Sequence, residues 1–96
     1  IRIHAANGAD KRFELRSADP SANPYIAFAL LIRAGLDGIN NKLELPAPVD
    51  ADLTDRETAV KAGLDKLPDY LSEAVELAKN SEFINSVLPE NFLKLL

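Results

Sequence analysis

Cysteine is absent from the 96-residue chain, which removes both a disulfide framework and any thiolate metal site. That fits a reducing compartment, and a cytoplasmic location is expected. Methionine is absent too, so the sequence does not begin at an initiator residue. With an opening "IRIH" that reads as the middle of a strand, this points to a piece of a longer polypeptide. Removal of an initiator or a tag would account for the missing methionine equally well. Clustered basic residues are lacking. Eleven Lys and Arg stand against 15 Asp and Glu, a net charge of −4 with both signs spread along the chain. This argues against a nucleic-acid partner, which needs a concentrated basic footprint. No basic-then-apolar leader is seen, and the longest apolar run, Tyr25 to Ile32, is eight residues. A bilayer span needs roughly 20. No membrane partner is expected, and the protein is expected to be soluble.

What is present is one small domain's worth of chain, enough to bury only about 60–65% of its unfolded surface. Ile1, Ile3, Phe13 and Leu15 alternate with polar neighbours, which predicts short strands over 1–4 and 11–16. Asn7-Gly8 between them is a turn signal, so a hairpin is expected. In the second strand Arg12, Glu14 and Arg16 face one side while Phe13 and Leu15 face the other. Asn23-Pro24 reads as a helix start, because Asn caps free N–H groups and Pro tolerates the first helical position. The helix is predicted over 24–37, stopping near Gly38 as a left-handed C-cap. It is apolar nearly all round, from Tyr25 through Leu36, and such a helix is normally buried on every face. Each large apolar side chain left exposed forfeits about 1.5–3 kcal/mol, so the helix calls for covering that 96 residues hardly supply. Arg33 within it needs a carboxylate partner or an exit to solvent.

Residues 46–55 form a Pro- and Asp-rich linker, and helices are predicted beyond it. The stretch "DRETAVKAGLDKL" is a candidate weakened by Gly63. Asp69 is the expected N-cap of a helix over 70–79 with Leu71, Val75 and Ala78 on one face. Ser81 is expected to open another through Leu88, and Pro89 to start or kink a last segment. The fold class is therefore α+β: a short N-terminal β-hairpin followed mostly by α-helices.

Arg12-x-Glu14-x-Arg16 has a plain reading, a surface salt-bridge ladder worth about 0–1 kcal/mol per pair. It also has a functional one. Two guanidiniums offer forked donors for phosphate or carboxylate, and the carboxylate between them suits a hard divalent cation. Arg2, on the neighbouring strand, adds a third positive group. Spacing alone does not decide between the two.

The continuation, "RFELRSADPSANPYIAFALLIRAGLDGINNKLELP", resembles the C-terminal part of the catalytic domain of the glutamine synthetase family. The similarity lies in an R-x-E-x-R strand, Arg12 to Arg16, then D-P-S-A-N-P-Y, Asp19 to Tyr25, then A-G-L-D-G-I, Ala34 to Ile39. It is strong over 1–46, looser over 67–96, and covers essentially the whole chain. It implies an ATP-dependent ligase that forms glutamine from glutamate and ammonia through γ-glutamyl phosphate. It further implies that Glu14 ligates a catalytic Mg²⁺ or Mn²⁺ and that Arg16 holds the glutamate side chain and its acyl phosphate. Arg12 and Arg2 are implied to contact the ATP phosphates. The remaining metal-binding groups and the ammonia site would lie upstream, leaving the isolated segment inactive, and the parent would be a ring-shaped homo-oligomer. Tyrosine adenylylation, known in enterobacterial-type members, is expected to be absent because Thr54 follows Leu53 where that tyrosine would stand.

Two departures stand out. Family members usually carry proline where His4 stands, and an apolar residue in place of Arg33. His4, the only histidine, is read as a strand-end side chain in preference to a metal ligand or acid–base group. Two alternatives remain open at this point: a γ-glutamyl-amine ligase of the same family acting on a polyamine, and a non-catalytic helical interaction module.

Overall fold

The computed structural model describes residues 1–4 and 8–96; Asn7 of the expected turn lies outside the described residues. Strands β1 (Arg2–Ile3) and β2 (Phe13–Glu14) pair antiparallel, with Arg2 opposite Glu14 and Ile3 opposite Phe13. The α+β expectation holds, with a hairpin at the front and helices behind. The strands are shorter than the alternation alone implied. A short 3-10 turn, Gly8–Asp10, leads into β2, and Gly8 adopts φ 67°, a value glycine accepts without steric cost.

Behind the hairpin, Asp19 shapes the link to the first helix. Its Oδ1 accepts from the Ser21 N–H at 2.8 Å and from the Ser21 hydroxyl at 2.5 Å. Those two bonds hold the Asp19 carboxyl below the usual range. Helix α1 (Pro24–Asn40) then starts as its sequence dictates: Asn23 Oδ1 accepts from the N–H groups of Tyr25 and Ile26, at 3.0 and 3.4 Å. Its end differs from expectation. Gly38 is an interior residue, and the helix continues to Asn40. The terminating bonds run from Lys42 N–H to Ile39 O and from Leu43 N–H to Gly38 O. The left-handed residue is therefore Lys42, at φ 51°. Asn41 reinforces this end, its side-chain amide donating to Asp37 O and Oδ1 at 3.1 and 2.9 Å.

Residues 43–55 contain no helix or strand. Helix α2 (Arg56–Lys61) is capped by Asp55, whose Oδ2 accepts from Thr58 N–H at 2.9 Å. It ends sooner than the 55–67 candidate because Gly63 takes φ 69° and closes the same double-bonded terminus, Gly63 to Val60 and Leu64 to Ala59.

Helix α3 (Leu71–Lys79) corrects the expected cap. Tyr70, not Asp69, occupies the cap position, and no side chain caps the helix. Asp69 is otherwise engaged: its carboxylate pairs with Lys66 Nζ and its own N–H donates to Glu73 Oε2 at 3.2 Å. Ala74, Val75 and Ala78 form the half-buried face of α3, and Leu71 stays exposed. Helix α4 (Glu82–Val87) opens on Ser81 as expected, with Ser81 Oγ accepting from Ile84 N–H at 3.2 Å. Pro89 precedes the short α5 (Glu90–Leu93).

Helix α4 packs against both α1 and α3, and this junction is where the apolar side chains shelter best. Ile26, Leu30 and Leu31 on α1 and Phe83, Ile84, Val87 and Leu88 around α4 are half-buried. Among the described residues none is fully buried. Tyr25, Phe28 and Ile32 on the other flank of α1 are 84, 64 and 61% exposed. Arg33 exits to solvent. The accessible surface is 8735 Å², where a compact chain of this mass would show about 5,400 Å². The radius of gyration, 15.5 Å, likewise exceeds the roughly 12.5 Å of a compact chain of this length. The apolar back of the hairpin, Phe13 and Leu15, faces the first turns of α1 across an open groove of about 360 Å³.

Candidate functional site

Antiparallel pairing converts two separate alternations into one charged face. Because Arg2 stands opposite Glu14, and because the His4 N–H reaches the Arg12 carbonyl at 3.5 Å, Arg2, His4, Arg12, Glu14 and Arg16 share a side of the hairpin. Ile1, Ile3, Phe13 and Leu15 take the other. Three arginines against one glutamate leave this face with a surplus of positive charge on an otherwise acidic chain.

Glu14 is the hub. Its Oε1 lies 2.6 Å from His4 Nε2, and its Oε2 lies 3.9 Å from the Arg16 guanidinium. A carboxylate only accepts, so His4 carries its proton on Nε2 and donates it. That hydrogen bond holds the Glu14 carboxyl below its ordinary range; partial desolvation opposes it, and the charges of Arg2 and Arg16 reinforce it. Glu14 is therefore ionised at neutral pH.

The four site residues expected from the sequence are placed unequally. Glu14 and Arg16 touch, and Arg2 stands across the ladder from Glu14. Arg12 lies on the same face, but its guanidinium turns to the Asp10 carbonyl at 3.3 Å. His4 is the addition. It does sit just past the end of β1, yet its side chain, 20% exposed, closes on Glu14. Parity in a hairpin of known register would have pointed to it; the sequence did not fix that register.

The chain matches the family described as glutamine synthetase, catalytic domain, over residues 1–95. It belongs to the glutamine synthetase family. Among curated relatives it is similar to a glutamine synthetase of Clostridium saccharobutylicum, 46% identical over 94 residues. It is likewise similar to glutamine synthetases of Methanosarcina mazei, at 44% over 94 residues, and of Staphylococcus aureus, at 41% over 90. These alignments cover 95, 95 and 92% of the chain but 21, 21 and 20% of the relatives. The chain thus spans about a fifth of the length of the glutamine synthetases it matches. No solved structure matches it significantly.

The glutamine synthetase family implies a divalent metal, and the donor set here can be tested against one. Glu14 fits a single ligand position: it is ionised, 38% exposed, and part of a face open to ligands. Among the described residues no three His, Asp or Glu side chains converge, so no complete metal centre is formed. Mg²⁺ demands near-octahedral oxygen coordination, and one carboxylate is a corner of that, not the whole. Among the described residues no helix is long and apolar enough to cross a membrane.

Proposed function

We propose that the protein to which these residues belong is an ATP-dependent ligase that makes glutamine from glutamate and ammonia. The observation that carries this reading is the cationic hairpin face centred on Glu14, in a chain that belongs to the glutamine synthetase family. Such chemistry moves the terminal phosphoryl group of ATP to the side-chain carboxylate of glutamate, releasing ADP. Ammonia then attacks the acyl carbon of γ-glutamyl phosphate, the C–O bond to phosphate breaks, and phosphate leaves as nitrogen loses a proton. The transition state spreads negative charge over phosphoryl oxygens, so catalysis is mainly positioning plus cations set where that charge develops.

Each residue then has a role its chemistry allows. Glu14 supplies one carboxylate ligand to Mg²⁺ or Mn²⁺, which when bound offsets phosphate charge. Arg16, whose side chain is 67% exposed beside Glu14, is free to fork onto the glutamate side chain and its acyl phosphate. Arg2 and Arg12 bind the ATP phosphates; for Arg12 this means exchanging the Asp10 carbonyl for phosphate oxygen. The domain reading is a C-terminal catalytic segment. Residues 1–16 carry the site, the α1 region 24–38 backs it, 46–55 link, and 56–96 add closing helices.

The chain alone is inactive on this account, because one carboxylate and three arginines do not hold the metals, ATP and both substrates together. The exposed apolar flank of α1 and the groove behind β2 are covered by the remainder of the polypeptide. The working form is a cytoplasmic homo-oligomer, with the subunits arranged in a ring.

The test is phosphate release by the full-length protein, with glutamate and ATP, offering ammonia in one arm and polyamines in the other. Turnover with ammonia supports a glutamine synthetase. Turnover with polyamines alone replaces it with a γ-glutamyl-amine ligase, and none with any amine favours a non-catalytic role.

A further inference from the structure

The two most sheltered side chains of the hairpin are not its apolar ones. Ile1, Ile3, Phe13 and Leu15 are 82, 75, 60 and 40% exposed, whereas among the described residues of 1–23 only His4 and Glu14 are half-buried. The contact that shelters them spans ten residues of sequence and depends on the antiparallel register, since His4 reaches diagonally across to Glu14 from beyond the Arg2–Glu14 pair.

We infer that His4 is a positioning residue for Glu14: its Nε2–H holds Oε1 and so fixes the orientation in which Oε2 is presented to a divalent cation. This rests on the reading of Glu14 as a metal ligand and adds to it a residue whose side chain that reading does not use. The physical case is orientational. A free glutamate side chain distributes over several rotamers, and a cation must collect it from all of them. A bond of 2.6 Å to a ring anchored just past the end of β1 removes that search before the cation arrives. One carboxylate oxygen is then spent on the imidazole while the other stays on the arginine side, 3.9 Å from the Arg16 guanidinium. Partners that hydrogen-bond a metal ligand in this way typically alter metal affinity by about 10–100-fold when removed.

The experiment is Mn²⁺ binding to the full-length protein, by calorimetry without nucleotide or substrate, on wild type and four variants. Glu14→Ala first identifies the binding step that uses Glu14. The proposal expects His4→Ala and His4→Phe to weaken that same step by about 10-fold or more, and His4→Gln, which retains an N–H donor, to return to within about threefold of wild type. His4→Phe separates donor from ring volume: wild-type affinity there, or in His4→Ala, overturns the proposal. So does a His4→Gln variant as weak as His4→Ala, because an N–H donor at this position would then not restore the step. If Glu14→Ala leaves every Mn²⁺ step unchanged, the metal-ligand reading of Glu14 fails and the proposal falls with it.

Discussion

The hairpin and the helices both carry ion pairs, but the pairs differ in kind. On the helices the partners are three or four residues apart, within one helix or between a helix and its C-cap: Glu57 with Lys61 at 2.8 Å, Glu76 with Lys79 at 3.4 Å, Glu90 with Lys94 at 2.9 Å. Each is balanced, local and solvated, and pairs of this type contribute only a few tenths of a kcal/mol. On the hairpin, Glu14 is approached from both strands, by His4 and by Arg16, and the face retains a positive surplus. Balanced local pairs satisfy themselves. An unbalanced face assembled across strands keeps a surplus of positive charge, which is what the proposed phosphoryl-transfer role calls for.

The comparison breaks most visibly at Arg16. Arg16→Ala in the full-length protein is expected to lower glutamate-dependent phosphate release by about 100-fold or more, equivalent to about 2.7 kcal/mol of barrier. Arg16→Lys should recover little of it, since an ammonium cannot reproduce the planar fork. Arg2→Ala and Arg12→Ala should each raise KM for ATP by about tenfold, about 1.4 kcal/mol, with kcat less affected. An unchanged KM in both would remove the phosphate roles. On the helical side, Ser81→Ala should cost about 1 kcal/mol of stability through loss of the α4 cap, read as a lower denaturation midpoint with turnover per folded molecule unchanged.

The smallest effect is a pH dependence. The bonds from Thr58 to Asp55 lower that carboxyl's pKa in the folded state. A depressed carboxylate contributes stability that is present above its unfolded pKa and lost as pH falls through the folded one. The α2 cap should therefore hold at neutral pH and weaken only at acid pH below the ordinary Asp range. A titration of the Asp55 carboxyl carbon by NMR checks this, and a midpoint at or above the ordinary value contradicts it.

Which features the sequence reveals follows from how local their causes are. Asn23, Ser81 and Asp55 cap helices through bonds spanning two or three residues, so residue type and position suffice to find the first two. Asp69 has the right chemistry for a cap, but Lys66 and Glu73 compete for its groups, and residue type alone does not show which prevails. Gly38 has the right chemistry for a helix end, yet Asn41 with its two bonds to Asp37 carries the helix past it. The charged face divides in the same manner. Arg12, Glu14 and Arg16 are neighbours in one strand and can be read directly. His4 joins them only through the register of a second strand, which alternation leaves undetermined.

Under the proposed function the hairpin face works on ligands while the helical pairs merely decorate a surface. This contrast is tested most directly by comparing Glu14→Gln with Glu57→Gln in the full-length protein, measuring phosphate release that depends on both glutamate and ammonia. The account predicts a fall of about 100-fold or more for Glu14→Gln and wild-type turnover for Glu57→Gln. Equal turnover in the two variants would contradict it.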